Sequence, residues 1–138
     1  MTEFSRDLAT YRIKRALETL EDARVLAQSS RWNACVNRLY YACFYAVSAL
    51  LLQKGLSSSK HTGVRSLFNQ HYVKPRNVPR EIAQIYNDLF ERRQESDYMD
   101  FVAFEEAQVH PWIAEVETFM TYIISLVENE MGSRDEDT

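Results

Sequence analysis

"RWNACVNRLYYACFYAVSALL", residues 31–51, is apolar or aromatic around most of a helical circumference. At about 100° per residue, Val36, Leu39, Cys43, Ala46, Val47 and Leu50 fall on one side, and Asn33, Asn37, Tyr40, Tyr41, Phe44 and Ser48 on another. A helix with so little polar surface belongs in the middle of a helical domain, covered by its neighbours. Gly55 marks its end, being free to adopt the positive φ that closes a helix. The first face is plain core. The second mixes rings with amides, the composition of a partner interface or a polar pocket, because such rings bury area while their hydroxyls still require hydrogen bonds. Tyrosines packed on neighbouring helices give the same pattern. Arg38 and Tyr45 lie together near the border of this face.

The rest of the chain supplies the covering helices. Its 138 residues are 46% hydrophobic, with only three glycines and three prolines, and the apolar residues recur at three- and four-residue intervals. This is an all-α pattern for one domain with a real core. The first helix, about 6–28, is amphipathic, with Ile13, Ala16, Leu17, Leu20, Ala23 and Ala27 on its inward stripe. Ser57, Ser58 and Ser59 offer an N-cap to a short third helix, about 60–72. After "VKPRNVP", residues 73–79, a fourth helix starts with Pro79 in its first turn and runs to about 97. A final helix, about 102–129, is expected to kink or split at Pro111. The domain spans 1–130, and "MGSRDEDT", 131–138, reads as a mobile polar tail.

Charge and cysteine usage exclude several classes. A net charge of −4 argues against a broadly basic surface that grips nucleic acid through charge alone, while leaving room for a local basic site. Cys35 and Cys43 are too far apart along one helix for a disulfide and read as small core residues of a reducing compartment. No run is read as a membrane span and no signal-peptide pattern opens the chain, so the expected location is the cytoplasm, with no membrane partner. Scattered histidines and core cysteines give no metal-ligand spacing, the glycines make no phosphate-binding loop, and no cofactor is expected. The serines beside His61 lack an acid in register to orient that histidine, so a nucleophilic triad is set aside.

One stretch resists the core pattern. In "RRQESDYMD", residues 92–100, the inward position that follows Ile82, Ile85, Tyr86 and Leu89 is occupied by Arg93. On a helical wheel Arg93 lies within roughly 20° of the mean apolar direction, Asp97 within about 60°, and Arg92 on the flank. Asp97 is spaced at i+4 to pair with Arg93. The pair can simply close the end of the bundle, or Arg93 can line a cleft and offer its planar donors to a phosphate. Tyr98 joins Arg93 only if the helix breaks near residue 97.

"NRLYYACFYAVSALLLQKGL", "KHTGVRSLFNQHYVKP" and "LFERRQESDY", taken in order, resemble the small stand-alone HEPN-domain proteins of bacteria and archaea over about residues 10–125. The resemblance implies an antiparallel four- to five-helix bundle, usually a homodimer, often encoded beside a minimal nucleotidyltransferase. In such pairs the HEPN protein is commonly a toxin, a metal-independent RNA endonuclease, and the nucleotidyltransferase is its antitoxin, in some systems by nucleotidylating a tyrosine. Active members carry an arginine, four to six residues and a histidine in the fourth helix, meeting across the dimer. Here Asp97, Tyr98 and Met99 occupy the positions where that histidine could fall. Arg93, four residues and Tyr98 is the nearest equivalent, and a tyrosine of ordinary pKa is a poor base but a usable donor. The literal spacing from Arg65 to His71 is of a kind expected about once by chance. His61, opening the third helix, falls where the resemblance also places a histidine; capping or packing would equally account for it.

Two functional classes follow. One is an RNA-cleaving toxin using Arg93, Tyr98, Asp97 and Arg92, with Asn33, Asn37, Arg38, Tyr41 and His61 at the substrate or subunit interface. The other is a non-catalytic module that binds nucleotide, RNA or a partner nucleotidyltransferase.

Overall fold

The computed structural model describes residues 2–98 and 102–136. Among them are α1 (Glu3–Gln28), α2 (Trp32–Leu52), α3 (His61–Phe68) running into a π-helical turn (Asn69–Val73), α4 (Arg80–Tyr98) and α5 (Glu106–Glu136), with no strand. The helix α2 packs against all four others, as its apolar circumference requires. Arg15 meets Tyr45 while Arg12, one turn earlier, shares a cavity with Ser48, one turn later, so α1 and α2 run antiparallel. Arg92 against Trp112 and Tyr86 against Phe119 set α4 and α5 antiparallel in the same way.

Local chemistry sets the helix ends. Thr2 caps α1 by accepting from the Ser5 amide at 3.0 Å, so the helix starts three residues before the expected position. Past α2, the Leu56 amide donates to the Leu51 carbonyl and the Gly55 amide to that of Leu52, with Gly55 at φ +68°. This is a Schellman closure, and it is the role expected of Gly55. The serines before α3 do not cap it: Lys60 is the N-cap residue and makes no side-chain bond, while Ser58 accepts from the Lys60 amide. The expected third helix ends early as an α-helix because Lys74 donates to Asn69, five residues back, and the wider turn lets Tyr72 bury itself and donate to the Leu50 carbonyl. Pro79 precedes α4, and its carbonyl accepts from Ile82 and Ala83.

Three further expectations are corrected. Pro111 neither splits nor ends α5, which runs from Glu106 to Glu136. It lies early in the helix, where it removes only one backbone bond. The helix also takes in residues 131–136, whose composition reads as a tail. On α1, Ala16, Leu20 and Ala23 are buried as expected, but Leu17 is exposed, along with Phe4, Tyr11 and Val25.

The core is aromatic: Tyr40, Tyr72, Tyr86, Phe68, Phe90 and Phe119 are all fully buried. Contrary to the sequence reading, α2 is long and apolar enough to cross a membrane by length and composition. It is 67% buried inside the bundle over its most apolar window, and that places it as the core helix. Cys35 and Cys43 are buried free thiols on it, and burial raises the pKa of both, that of Cys35 to about 11.

Candidate functional site

Arg93 is the only buried charged residue among those described, and it sits where the helical wheel puts it, on the inward face of α4. Its charge is accommodated in three ways. The guanidinium carbon lies 4.7 Å from the centre of the Tyr40 ring and 5.6 Å from that of Tyr41, so two π faces receive the cation. Its Nη1 donates to the Tyr41 hydroxyl at 3.2 Å. The same nitrogen lies 3.5 Å from Oδ2 of Asp97, one turn on. Nε is buried without a partner, and Nη2 makes no hydrogen bond among the described residues. The arginine is held as a flat plate with donor capacity to spare, which suits it to an oxyanion.

The α2 side of the site is a row of rings with a second cation beside it. Asn37 Oδ1 accepts from Arg38 Nε at 3.1 Å and from Nη2 at 2.8 Å. That fork steers Arg38 over the Tyr41 ring, 4.9 Å from its centre. Tyr41 thus carries guanidinium groups from two helices. Arg38 and Tyr45, adjacent on the helical wheel, do not associate: Tyr45 accepts from Arg15 on α1 instead.

His61 arrives from α3. Its ring stacks on Phe44 at 4.5 Å between centres and lies edge-on to Tyr41 at 5.6 Å. Its Nδ1 and the Tyr40 hydroxyl share a 2.7 Å hydrogen bond. Burial, helped by the positive charge of Arg93, lowers the His61 pKa and favours the neutral imidazole. Burial pushes the Tyr40 hydroxyl up to about 12, so it too stays neutral. Tyr40 therefore joins Arg93 to His61, its ring facing one and its hydroxyl bonding the other, with Tyr41 touching both beside it.

Asn33 has a different duty. Its Nδ2 donates to the Val102 carbonyl at 2.9 Å and its Oδ1 accepts from the Phe104 amide at 2.8 Å. It ties the segment that follows α4 to the start of α2. Arg92 lies 3.8 Å over the Trp112 ring and 3.9 Å from Asp88, on the flank away from the Arg93 cluster. The backbone stays helical through Tyr98, so the break near residue 97 that would let Tyr98 join Arg93 does not occur; the side chain of Tyr98, like Met99, lies outside the described residues. Arg65 and His71 do not form a site: Arg65 pairs with Glu91 at 2.9 Å and lies over Phe90.

The arrangement brings together Arg93, Asp97, Arg38, Asn37, Tyr41 and His61, and leaves Arg92 and Asn33 at its margins. The residue missed by sequence reading is Tyr40. It falls on the polar face of the wheel, and nothing in a helical wheel reveals that α3 folds back to meet its hydroxyl. A wide groove of about 810 Å³ lies elsewhere, between α4 and α5, lined by residues such as Ile82, Thr118 and Tyr122. Its only charged lining residue is Glu117, so it offers no cation to a phosphate. No group of three or more His, Cys, Asp or Glu among the described residues is placed to share a metal ion.

Comparison with known proteins follows the same lines. The family model described as the HEPN domain matches residues 9–128. A UPF0332 protein of Thermotoga maritima is 48% identical over 116 residues, covering 84% of this chain and 88% of its own. The protein named "Putative toxin MJ0605" of Methanocaldococcus jannaschii is 32% identical over 111 residues, covering 80% and 82%. Among solved structures, TT1696 from Thermus thermophilus superposes with a TM-score of 0.65 at 18% identity, over 88% of this chain and 97% of its own, a likeness of fold.

Two measurements check the geometry. Asp97→Asn leaves the buried guanidinium without its carboxylate and lowers unfolding stability by about 1–3 kcal/mol in urea titrations, whereas Arg93→Met removes the cation, retains the apolar stem and costs less. His61 supplies the second. Folding favours its neutral form, so its contribution is complete above about pH 6.5 and is lost as pH falls from there through the lower folded-state pKa. Wild-type stability is expected to drop over that window, and His61→Gln to flatten the drop; equal slopes would contradict the packing described for His61.

Proposed function

Since this chain belongs to the HEPN domain family, we propose that it is a toxin-type protein that cleaves RNA without a metal ion, with Arg93 as the phosphate-binding cation. The observation that carries this reading is the link from Arg93 through Tyr40 to His61, which puts a cation with free donors and a neutral imidazole on one site. In this proposal His61 supplies the imidazole that α4 lacks.

The chemistry is phosphodiester transfer. The 2′-hydroxyl oxygen attacks the adjacent phosphorus and loses its proton to the imidazole. The bond from phosphorus to the 5′-oxygen breaks, and that oxygen takes up a proton from an acid. The products are a 2′,3′-cyclic phosphate and a 5′-hydroxyl end. Arg93 and Arg38 hold the non-bridging oxygens, where negative charge builds in the transition state. A low imidazole pKa keeps the base unprotonated at neutral pH. Asp97 anchors Arg93. The helix α4 continues through Tyr98, so Tyr98 is given no part in the chemistry at Arg93 of its own chain, and the leaving oxygen takes its proton from water.

We further propose that the protein acts as a homodimer and is held in check by a minimal nucleotidyltransferase. Support for self-association comes from α1, where Phe4, Tyr11, Leu17 and Val25 are exposed. Apolar side chains of that size on one helix invite burial against a partner. The competing reading is a non-catalytic binding module. It gains from the absence of a histidine after Arg93 on α4 and from the packing of His61 among rings, which limits its reach.

A cleavage assay on structured and single-stranded RNA in excess chelator separates the readings. Wild type is expected to yield cyclic-phosphate ends, with Arg93→Ala and His61→Ala each losing about 100-fold or more in rate and Tyr98→Phe changing it little. A folded wild type that leaves RNA intact would favour the binding module; full activity in His61→Ala would remove His61 from the mechanism. Light scattering at micromolar concentration is expected to give twice the chain mass, and a mass of one chain would refute the dimer.

A further inference from the structure

Beneath Phe44, on the side facing α1, is a small cavity of about 130 Å³. Its walls are Arg12 from α1, Phe44, Tyr45, Ser48 and Leu51 from α2, Leu56, Ser57 and Ser58 from the following loop, and Val64 from α3. Every polar side chain in that wall can donate a hydrogen bond, and none is a carboxylate or amide. The Tyr45 oxygen accepts from Arg15, and the Ser58 oxygen accepts from the Lys60 amide, so both keep a hydroxyl proton to give. Ser48 is buried, and neither it nor Ser57 makes a hydrogen bond among the described residues.

Arg12 is the anomaly. Most arginines of this chain that approach its core find a carboxylate, a ring or a hydroxyl: Arg15 has Tyr45 and Glu18, Arg24 has Glu21 and Glu117, Arg65 has Glu91, and Arg93 has Asp97 with two tyrosines. Arg12 makes no ion pair, hydrogen bond or cation–π contact among the described residues. It is half-buried at the cavity wall, and that partial burial lowers its pKa. A partly desolvated cation that faces a cavity of donors without a counter-charge is a place where a bound anion is favoured.

We propose that this cavity is an oxyanion site that takes one phosphate group, with Arg12 as its cation and the hydroxyls of Tyr45, Ser48, Ser57 and Ser58 as its remaining donors. The cavity is below the roughly 300 Å³ at which pockets begin to enclose drug-sized ligands, so it holds the phosphate and excludes a nucleoside. Ser57 is exposed and forms the mouth, through which an ester-linked remainder would project to solvent. The site is distinct from the Arg93 cluster, since none of Arg12, Tyr45, Ser48 and Ser57 bonds to Arg93; the two meet at Phe44, which lines the cavity and stacks on His61, and where the Tyr45 ring packs on that of Tyr41.

Thermal unfolding of the full chain tests it, in inorganic phosphate or sodium chloride at matched ionic strength. Millimolar phosphate is expected to raise the melting temperature by about 3 °C or more over chloride, since a ligand held only by the folded state stabilises it. Arg12→Gln is expected to abolish the rise, Ser57→Ala at the exposed mouth to reduce it, and Arg38→Gln at the other basic site to keep it. Adenosine 5′-monophosphate identifies the source: a rise larger than that from phosphate makes the ligand a nucleotide's phosphate, and an equal rise makes it the free ion. Adenosine alone should have no effect. The proposal is overturned by a wild type that responds equally to phosphate and chloride. It is overturned equally by a rise that survives in both Arg12→Gln and Ser57→Ala, or that is lost in Arg38→Gln. Phosphorus NMR line broadening by wild type, weakened with Ser57→Ala, covers the case in which Arg12→Gln does not fold, and broadening unchanged by Ser57→Ala overturns the proposal there.

Discussion

A buried guanidinium on the apolar face of α4 constrains everything around it. Arg93 cannot keep its full hydration shell, so the bundle surrounds it with partial substitutes: two tyrosine faces, one tyrosine hydroxyl and a carboxylate at the solvent edge. Each substitute fixes something else. Tyr40 must turn its face to the arginine, which leaves its hydroxyl directed at α3, and His61 takes that hydroxyl. Tyr41 must point its hydroxyl at Arg93, and its ring is then available to Arg38, which Asn37 holds there. The helix pairing of α2 with α4 and the approach of α3 are thus tied to one charge.

That arrangement is electrostatically one-sided. Arg93 and Arg38 contribute two cations, while Asp97 is the one carboxylate paired with either among the described residues, and it is at the solvent edge. His61 is driven toward neutrality by burial first and by Arg93 second, so it does not add a third charge. A site built this way is short of negative charge at the point where its donors converge. The chain can nevertheless carry an overall charge of −4, because its acids are spread over the outer faces of α1, α4 and α5.

What the sequence disclosed, and what it hid, divides by range. Periodicity within one helix places Arg93 inward, Arg92 on the flank and Asp97 in reach, because those relations depend only on helical geometry within a turn or two. Gly55 is readable for the same reason, as a local closure. The third helix departs from its periodicity because its change to π geometry serves Tyr72, whose hydrogen-bond partners, the Leu50 carbonyl and Glu130, lie far away in sequence. Asn33 reads as a site residue on composition, yet its amide clamps backbone at residues 102 and 104, a contact that no local pattern encodes. Leu17 fits an inward stripe on the wheel and is exposed because the stripe that α2 covers is narrower than the apolar pattern of α1.

The helix α2 reconciles two demands that ordinarily conflict. Its composition is apolar enough to span a bilayer, yet it carries three tyrosines, two asparagines, an arginine and a serine. The conflict is resolved by sorting those groups onto separate neighbours. Tyr40 and Tyr41 face the charge from α4, Tyr45 and Ser48 face the arginines of α1, and Asn33 takes the chain that leads into α5. Tyr40, Tyr41, Tyr45 and Asn33 thus find hydrogen-bond partners on four different segments, while Asn37 and Arg38 pair with each other on α2 itself. Phe44 stands between the two sets, stacked on His61 on one side and lining the Arg12 cavity on the other. Tyr41 and Tyr45 also pack ring to ring, but their hydroxyls go to arginines of different helices, Arg93 of α4 and Arg15 of α1, so one helix serves two clusters of cations in so small a fold.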